Sequence, residues 1–539
     1  MVLSPPTVSS SIPTTTSPTP ASAVFRGTVV PPNQKAPADN VFVFVEAGPE
    51  FLDPNKISES SGNQIAMNLF EPLLNYARGN GPPVPGVAAK YEVSPDGLTY
   101  TFHLRKNALW SNGRTVTAQD FVYSWERGLR PATASRNAQL LWYIRGAKAY
   151  NQGQSTDFST VGVVAQDDFT LTVELETPTP FFPHLVCYIA YAPVPRETIE
   201  IYNENWTRPE NMVVNGPFQL TEWAFRDRIV MKKNDRYWDA ENVRLAGAVA
   251  LHTENENTAF QLYESGTVHW TPAVVPAEKI PILMRDGRAD FHIDPLMCVS
   301  YYLLRMDQSP FDNPAVRRAF NMAIDKKRIV DHVLRSGQSP ARNLVPPMFE
   351  PISGYVPAQG DDYDPERARK LLAEAGYPNG TGLPAIEMVF NTFEGNRLIG
   401  ELVQRNLKET LGIEITLINM EWKSLLQTLQ RGDFHFGRGG WCADYPDPMT
   451  FLEVFDSRGE SNYAGYKSAE YDALLAQIRK TAHVTARNDL IQKAEKLLNH
   501  DVPMVPFYFY TRSYLLKSFV RGFEPQYQDH HLLKYIYFE

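Results

Sequence analysis

The chain has 539 residues, 43% of them hydrophobic and 12% aromatic, with a formal net charge of −9. That length exceeds what one core can serve and calls for two or three domains. The acidic balance leaves no surplus of lysine and arginine to neutralise phosphates, which excludes a general nucleic-acid binder, and no apolar run approaches the ~18 residues of a membrane span.

In chain order, residues 1–39 are rich in Pro, Ser and Thr and almost uncharged. Such a segment cannot bury enough surface to offset the entropy of ordering, so it reads as a disordered linker. It lacks the basic start and apolar stretch of a secretory signal. Globular sequence begins near Asn40. Val41-Phe42-Val43-Phe44-Val45 is a continuous apolar run, as in a strand buried on both faces. Tyr100 to Leu104 and Phe169 to Leu175 alternate with period two and read as half-buried strands. A helix starts at Ala118, with Thr117 as cap, Asp120 in the first turn, and Phe121 and Trp125 on one face.

Asn313-Pro314 opens a long helix, with cap and first-turn proline in their preferred order. Asp364-Pro365 opens another, which stops at Gly376. Ile386 to Phe390 and Ile413 to Ile418 read as strands flanking a helix at 397–410, a spacing that fits a partly parallel sheet. Phe434 to Gly440 is a further strand, Tyr471 to Leu498 is mainly helical, and Met504 to Tyr510 is an apolar, aromatic strand. No internal repeat of fixed period is present.

Searches for catalytic motifs return nothing: there is no HExxH, GxSxG or GxxxxGK[ST]. Gly79 and Gly81 are followed by Pro82 and Pro83, where a phosphate-binding turn needs free amides. Asp529-His530-His531 reads as solvated surface rather than a metal site, and His435 as an ordinary strand histidine. Three cysteines, Cys187, Cys298 and Cys442, form no CxxC, and spacing alone pairs none of them. No metal and no cofactor is expected. Paired carboxylates of a glycosidase stay open, because their separation is spatial.

Trp441-Cys442-Ala443-Asp444-Tyr445 sets an acidic side chain between two large aromatics at the end of a strand. A carboxylate in an aromatic-walled, poorly hydrated cleft is driven to find a cation. Aromatics also gather at Tyr301-Tyr302 and Trp422. The plainer alternatives are core packing for the rings and a turn or cap role for Asp444, since Tyr-Pro-Asp-Pro follows. Arg438 lies upstream at an even offset, which places it on the same strand face only if no turn intervenes.

Several longer motifs accompany these residues. They are Thr101-Phe102-His103-Leu104-Arg105, Trp110-Ser111-Asn112-Gly113, Val116 to Trp125, Val214-Asn215-Gly216-Pro217-Phe218, Lys370 to Tyr377, and Glu421-Trp422-Lys423. With the Trp441 to Tyr445 run, they resemble the bacterial oligopeptide-binding proteins, the extracellular solute-binding receptors of peptide-importing ABC transporters. The resemblance runs from about residue 40 to the C-terminus. It implies an α/β fold like the type II periplasmic binding proteins, with two lobes, a hinge and an extra third domain. Lobe I would combine 40–72, 197–297 and 514–539, the extra domain would be 73–196, and lobe III would be 298–513.

The resemblance further implies a non-enzymatic, monomeric receptor outside the cytoplasm, in the periplasm or cell envelope. It would close on short peptides and pass them to a membrane permease. A hydrolase in the same cleft, or the same fold carrying cell-wall peptide, metal chelate or sugar, are the alternatives. Cys298, after Asp294-Pro295, would pair with Cys442, leaving Cys187 buried. Asp444 would hold the peptide ammonium and Arg438 a carboxylate. The backbone near Gly440, Trp441 and Cys442, and near Ser58 to Ser60, would pair with the peptide main chain. A family histidine and lysine fall on Asn396 and Leu334, with Arg335 adjacent, and a pocket tyrosine falls on Asn137. Tyr301, Trp422 and Leu426 keep aromatic or apolar character. Peptide length and the need for a free C-terminus stay open.

Overall fold

The computed structural model describes residues 36–272 and 275–539. Most of the linker expected at 1–39 lies outside the described residues. The chain forms two compact units: the described residues up to His292 together with Ser513–Glu539, and Ile293–Arg512.

In the first unit, strand β1 (Val41–Glu46) pairs in parallel with β2 (Gly247–His252) and with a short strand at Trp270–Thr271. Neighbours on both edges and cover on both faces explain the unbroken apolar run. Helix α1 (Ser60–Leu69) is buried along nearly its whole length. Helix α2 (Ala118–Leu129) begins as expected: the Asp120 carboxylate accepts the Thr117 backbone N–H at 2.8 Å, and Phe121 meets Trp125 edge-on at 6.3 Å. Strands Ala88–Val93, Thr99–Leu104, Thr170–Glu174 and Val163–Asp167 form a separate antiparallel sheet in that order.

The C-terminal segment folds back onto α1. Gln64 donates to the His531 carbonyl at 2.7 Å, and the Leu533 N–H donates to Asn68 Oδ1 at 2.7 Å. Asp529-His530-His531 is therefore not solvated surface. His530 stacks on Tyr76 and His531 on Phe523, both at 4.3 Å.

In the second unit, five strands lie in the order β5-β4-β6-β3-β7. They are β3 (Phe291–Leu304), β4 (Ile386–Asn391), β5 (Ile415–Met420), β6 (Phe436–Cys442) and β7 (Met504–Leu516). Strands β3 and β7 also carry the chain from one unit to the other. Helices α3 (Pro314–Ala323), α4 (Pro365–Glu374), α5 (Glu394–Leu411), α6 (Trp422–Arg431), α7 (Ala469–Lys480) and α8 (Val484–Asp501) cover this sheet or flank it. Met388, Phe390, Leu402, Leu407 and Phe436 meet in its core.

Several boundaries differ from the expected ones for local reasons. The helix from Pro314 is short, because Asp325 caps a new turn by accepting the Arg328 N–H at 2.9 Å. Gly412, in a left-handed conformation at φ 71°, ends α5, and the Ile413 N–H bonds back to the Leu407 carbonyl, so β5 starts at Ile415. Gly432 at φ 75° ends α6 in the same way, and β6 runs from Phe436 through Cys442 instead of Phe434 to Gly440. His435 thus precedes the strand.

Candidate functional site

The order β5-β4-β6 places β4 between two parallel neighbours. The chain leaves β4 through α5 to reach β5 on one side, then passes through α6 to β6 on the other. In open parallel sheets the carboxyl ends of strands at such a reversal are where ligands bind. Here those ends are Asn391, Met420 and Cys442.

Strand β6 pairs antiparallel with β3 from Leu304↔Phe436 to Cys298↔Cys442. The Arg305 N–H donates to the His435 carbonyl at 3.0 Å and the Ala443 N–H to the Met297 carbonyl at 2.8 Å. These are hydrogen-bonded rungs, and rungs alternate. Tyr301↔Gly439 and Val299↔Trp441 are therefore bonded, whereas Tyr302↔Arg438, Ser300↔Gly440 and Cys298↔Cys442 are not. In the second set the β6 backbone groups point away from β3. On that outer side β4 pairs only with Phe436 and Gly437. Among the described residues, Gly440 and Cys442 thus present N–H and C=O groups along an edge with no strand partner.

The disulfide expected from the resemblance is present. Cys298 and Cys442 share a non-bonded rung, where facing Cα atoms come closest, here 4.0 Å apart. Cys187 is the buried free cysteine. The Tyr301 ring lies across Gly439, where a Cβ would sit 2.6 Å from Tyr301 Cε2. Tyr301 is itself buried, with its hydroxyl pKa pushed up by that burial, so it packs under the strand.

Beyond Cys442 the chain is pinned by Thr450. Its buried hydroxyl accepts the Asp444 backbone N–H at 3.2 Å and the Trp441 indole N–H at 3.4 Å, one for each lone pair. Asp444 and Trp441 are half-buried. Tyr445 is buried and donates to Glu453 at 3.1 Å. Burial pushes the Glu453 carboxyl up, with Arg479 at 3.2 Å acting against the shift. Asp447 makes a two-pronged ion pair with Arg487 of α8, at 2.6 and 2.8 Å, and accepts the Met449 N–H at 2.9 Å. Asp447 thus secures the turn that follows Tyr445.

Arg438 shares its strand face with Gly440 and Cys442. It is half-buried, lies opposite Tyr302, and donates to the Tyr510 hydroxyl at 3.0 Å. Trp422, half-buried, opens α6; the preceding Glu421 carboxylate caps that helix through the Lys423 and Ser424 N–H groups at 2.7 and 3.3 Å. Leu426 is half-buried one turn later. Asn396 is buried in α5, and its amide donates to the Asn391 carbonyl and side chain at 3.2 and 3.0 Å, inside the protein. Leu334 packs against the core, and Arg335 is exposed at φ 53°.

The remaining expected residues belong to the other unit. Asn137 donates to the Ile57 carbonyl at 2.7 Å, Ser58 is half-buried, Glu59 is extended, and Ser60 is the exposed first residue of α1 and so already helical. Sequence reasoning missed Thr450, the Asp447–Arg487 pair and Tyr510. The Asp-Pro-x-Thr spacing behind Tyr445 and the alternation of Tyr508 and Tyr510 are the only signals that pointed to them.

Known proteins resemble this chain over most of its length. Residues 82–463 match the middle region of the bacterial extracellular solute-binding proteins, family 5. The periplasmic oligopeptide-binding protein OppA of Escherichia coli is 36% identical over 477 residues, covering 88% of this chain and 87% of that protein. A crystal structure of the oligopeptide-binding protein OppAIV of Borrelia burgdorferi superposes with a TM-score of 0.78 at 32% identity, covering 93% of this chain and 100% of that one. Haemophilus influenzae OppA in complex with RPPGFSPFR superposes with a TM-score of 0.77 at 31% identity, covering 93% and 99%. The chain belongs to family 5 of the bacterial extracellular solute-binding proteins.

Proposed function

We propose that this solute-binding protein is an extracytoplasmic, monomeric receptor that captures short peptides and delivers them to an ABC-transporter permease. The outward backbone groups of Gly440 and Cys442 carry this reading. An extended peptide adds to such an edge as one more strand, and main-chain pairing is indifferent to side-chain identity. Asp444, two residues past the edge, takes the peptide ammonium through a charge-assisted hydrogen bond. Arg438, on the face shared with Gly440, takes a carboxylate. The relatives are binding proteins by name, which favours a receptor over a hydrolase. The separate antiparallel sheet supports reading 73–196 as the extra domain, and 40–72, 197–297 and 514–539 as lobe I.

Native mass spectrometry of purified protein tests the reading directly: short peptides are expected as co-purified ligands. In calorimetry, Asp444→Asn is expected to weaken a free-amine tetrapeptide by about 2–4 kcal/mol, and N-acetylation of the peptide should do the same to the unaltered protein. Equal affinity of Asp444→Asn and the parent rules out the ammonium role. Cleaved peptide after incubation turns the reading toward a hydrolase.

A further inference from the structure

Aromatic side chains lie at or just past the ends of the three strands: Phe393 after β4, Trp422 after β5 and Trp441 in β6. Asn391 is in register with Met420, and the pairing persists one residue further, where the Thr392 N–H donates to the Met420 carbonyl at 2.8 Å. Counting on, Phe393 and Trp422 leave neighbouring strands at the same level. Phe393 and Trp422 therefore stand just past the ends of β4 and β5, two adjacent strands ~4.8 Å apart. On the other side β4 pairs with β6 only as far as Val389↔Gly437, and Trp441 lies four residues further along β6.

Phe393 is 54% exposed, unusual for so large an apolar side chain. Its ring rests against Gly395, where a Cβ would meet Phe393 Cε1 at 2.9 Å, so one part is seated and the rest is open. The nearby Glu421 carboxylate is held by the Lys423 and Ser424 amides at the start of α6. At Phe393 the chain turns from β4 into α5 and vacates the place beside β6. That is the side to which the Gly440 and Cys442 backbone groups point.

We infer that Phe393 is a specificity-determining residue, and that it selects peptides carrying an aromatic side chain at one position. The inference rests on the peptide-receptor reading. A peptide strand paired with Gly440 and Cys442 lies on the β4 side, and every second side chain leaves one face of it. One of these meets the Phe393 ring, which has Trp422 level with it on the β5 side. Aromatic side chains gain from offset or edge-on contacts with such rings beyond the area they bury.

The test uses Ala-Ala-Ala-Ala and its four single-Phe variants as probes, with affinities measured by calorimetry. At one position Phe is expected to raise affinity for the unaltered protein by about five- to tenfold. Phe393→Ala should abolish that gain, so that the single-Phe peptide at that position binds the variant no better than tetra-alanine does, and Phe393→Trp should retain it. Thermal midpoints of both variants should match the parent, because the ring is mostly exposed. No position-specific gain, or a gain that survives in Phe393→Ala, overturns the inference while leaving the receptor reading intact. Failure of the unaltered protein to bind any of the five peptides overturns the receptor reading itself.

Discussion

Cys298 and Cys442 face each other on the final rung of the β3–β6 ladder, and the outer backbone of Cys442 is also the end of the unpaired edge. The covalent bond therefore holds the strand that carries the proposed main-chain contacts, immediately before Asp444. It closes a loop with a sequence separation of 144. Loop-closure entropy puts its contribution at about 4–5 kcal/mol. Urea unfolding of Cys298→Ser/Cys442→Ser should show a loss of this size, and reduction of the parent should reproduce it. Coincident unfolding curves for oxidised and reduced protein contradict the expectation.

Edge pairing makes a separate prediction at Gly440. Proline there removes an N–H that points away from β3, so the ladder itself loses no hydrogen bond. Gly440→Pro should cost peptide affinity about tenfold or more, in line with a lost main-chain hydrogen bond in a closed site. Gly440→Ala keeps the N–H and serves as the control for added bulk, since its Cβ would lie 3.1 Å from the Val299 carbonyl. Equal losses in the two variants, read by calorimetry, would point to bulk and against strand addition.

The Asp447–Arg487 pair is almost completely buried, with side chains 7% and 6% exposed. Removing one partner strands a charge in a medium that solvates it poorly. Arg487→Met should destabilise the unit by about 3–5 kcal/mol. Asp447→Asn/Arg487→Met should recover part of that loss, because no lone charge remains. A double-mutant cycle in urea measures both values, and additive losses would show that the two charges are uncoupled.

Stability should depend on pH in opposite senses at two buried groups. Burial lowers His269 to about 4, and its Nδ1 accepts the Val43 N–H at 3.1 Å. Between that value and the unfolded value near 6.5, the unfolded chain binds a proton that the folded one refuses. The stability from neutral His269 is thus full above pH 6.5 and is lost as pH falls toward 4. Burial raises Glu495 to about 7, although Ala358 and Val345 N–H groups donate to it at 2.7 and 3.0 Å. Its stabilising contribution is full below about pH 4.5 and is lost as pH rises through 7. Denaturation from pH 8 to 4 should show His269→Gln flattening the acid limb and Glu495→Gln flattening the neutral one. Unaltered slopes in either variant exclude that group as the source.

Much of this was legible in the chain itself. The capping of α2, the apolar run of β1 and the αL glycine that follows α4 depend on residues within a few positions of one another. The resemblance carried by Trp441 to Tyr445 pointed to the right family. Boundaries slipped where a neighbouring glycine ended a helix late, as at Gly412 and Gly432. The tail histidines were misjudged because their cover comes from Tyr76 and Phe523, of which Tyr76 lies in a distant part of the chain.

The sequence by itself determined which segments become strands and helices, and which acid and aromatics are available at the end of β6. Only the tertiary structure decided that β4 parts from β6 after Gly437, that Gly440 and Cys442 face outward, and that Asp447 pairs with Arg487. The physical reason is the range of the interactions. Caps and periodicity act over one or two turns, whereas a strand's partner, and the rung at which pairing stops, depend on how segments far apart in sequence pack against a shared core.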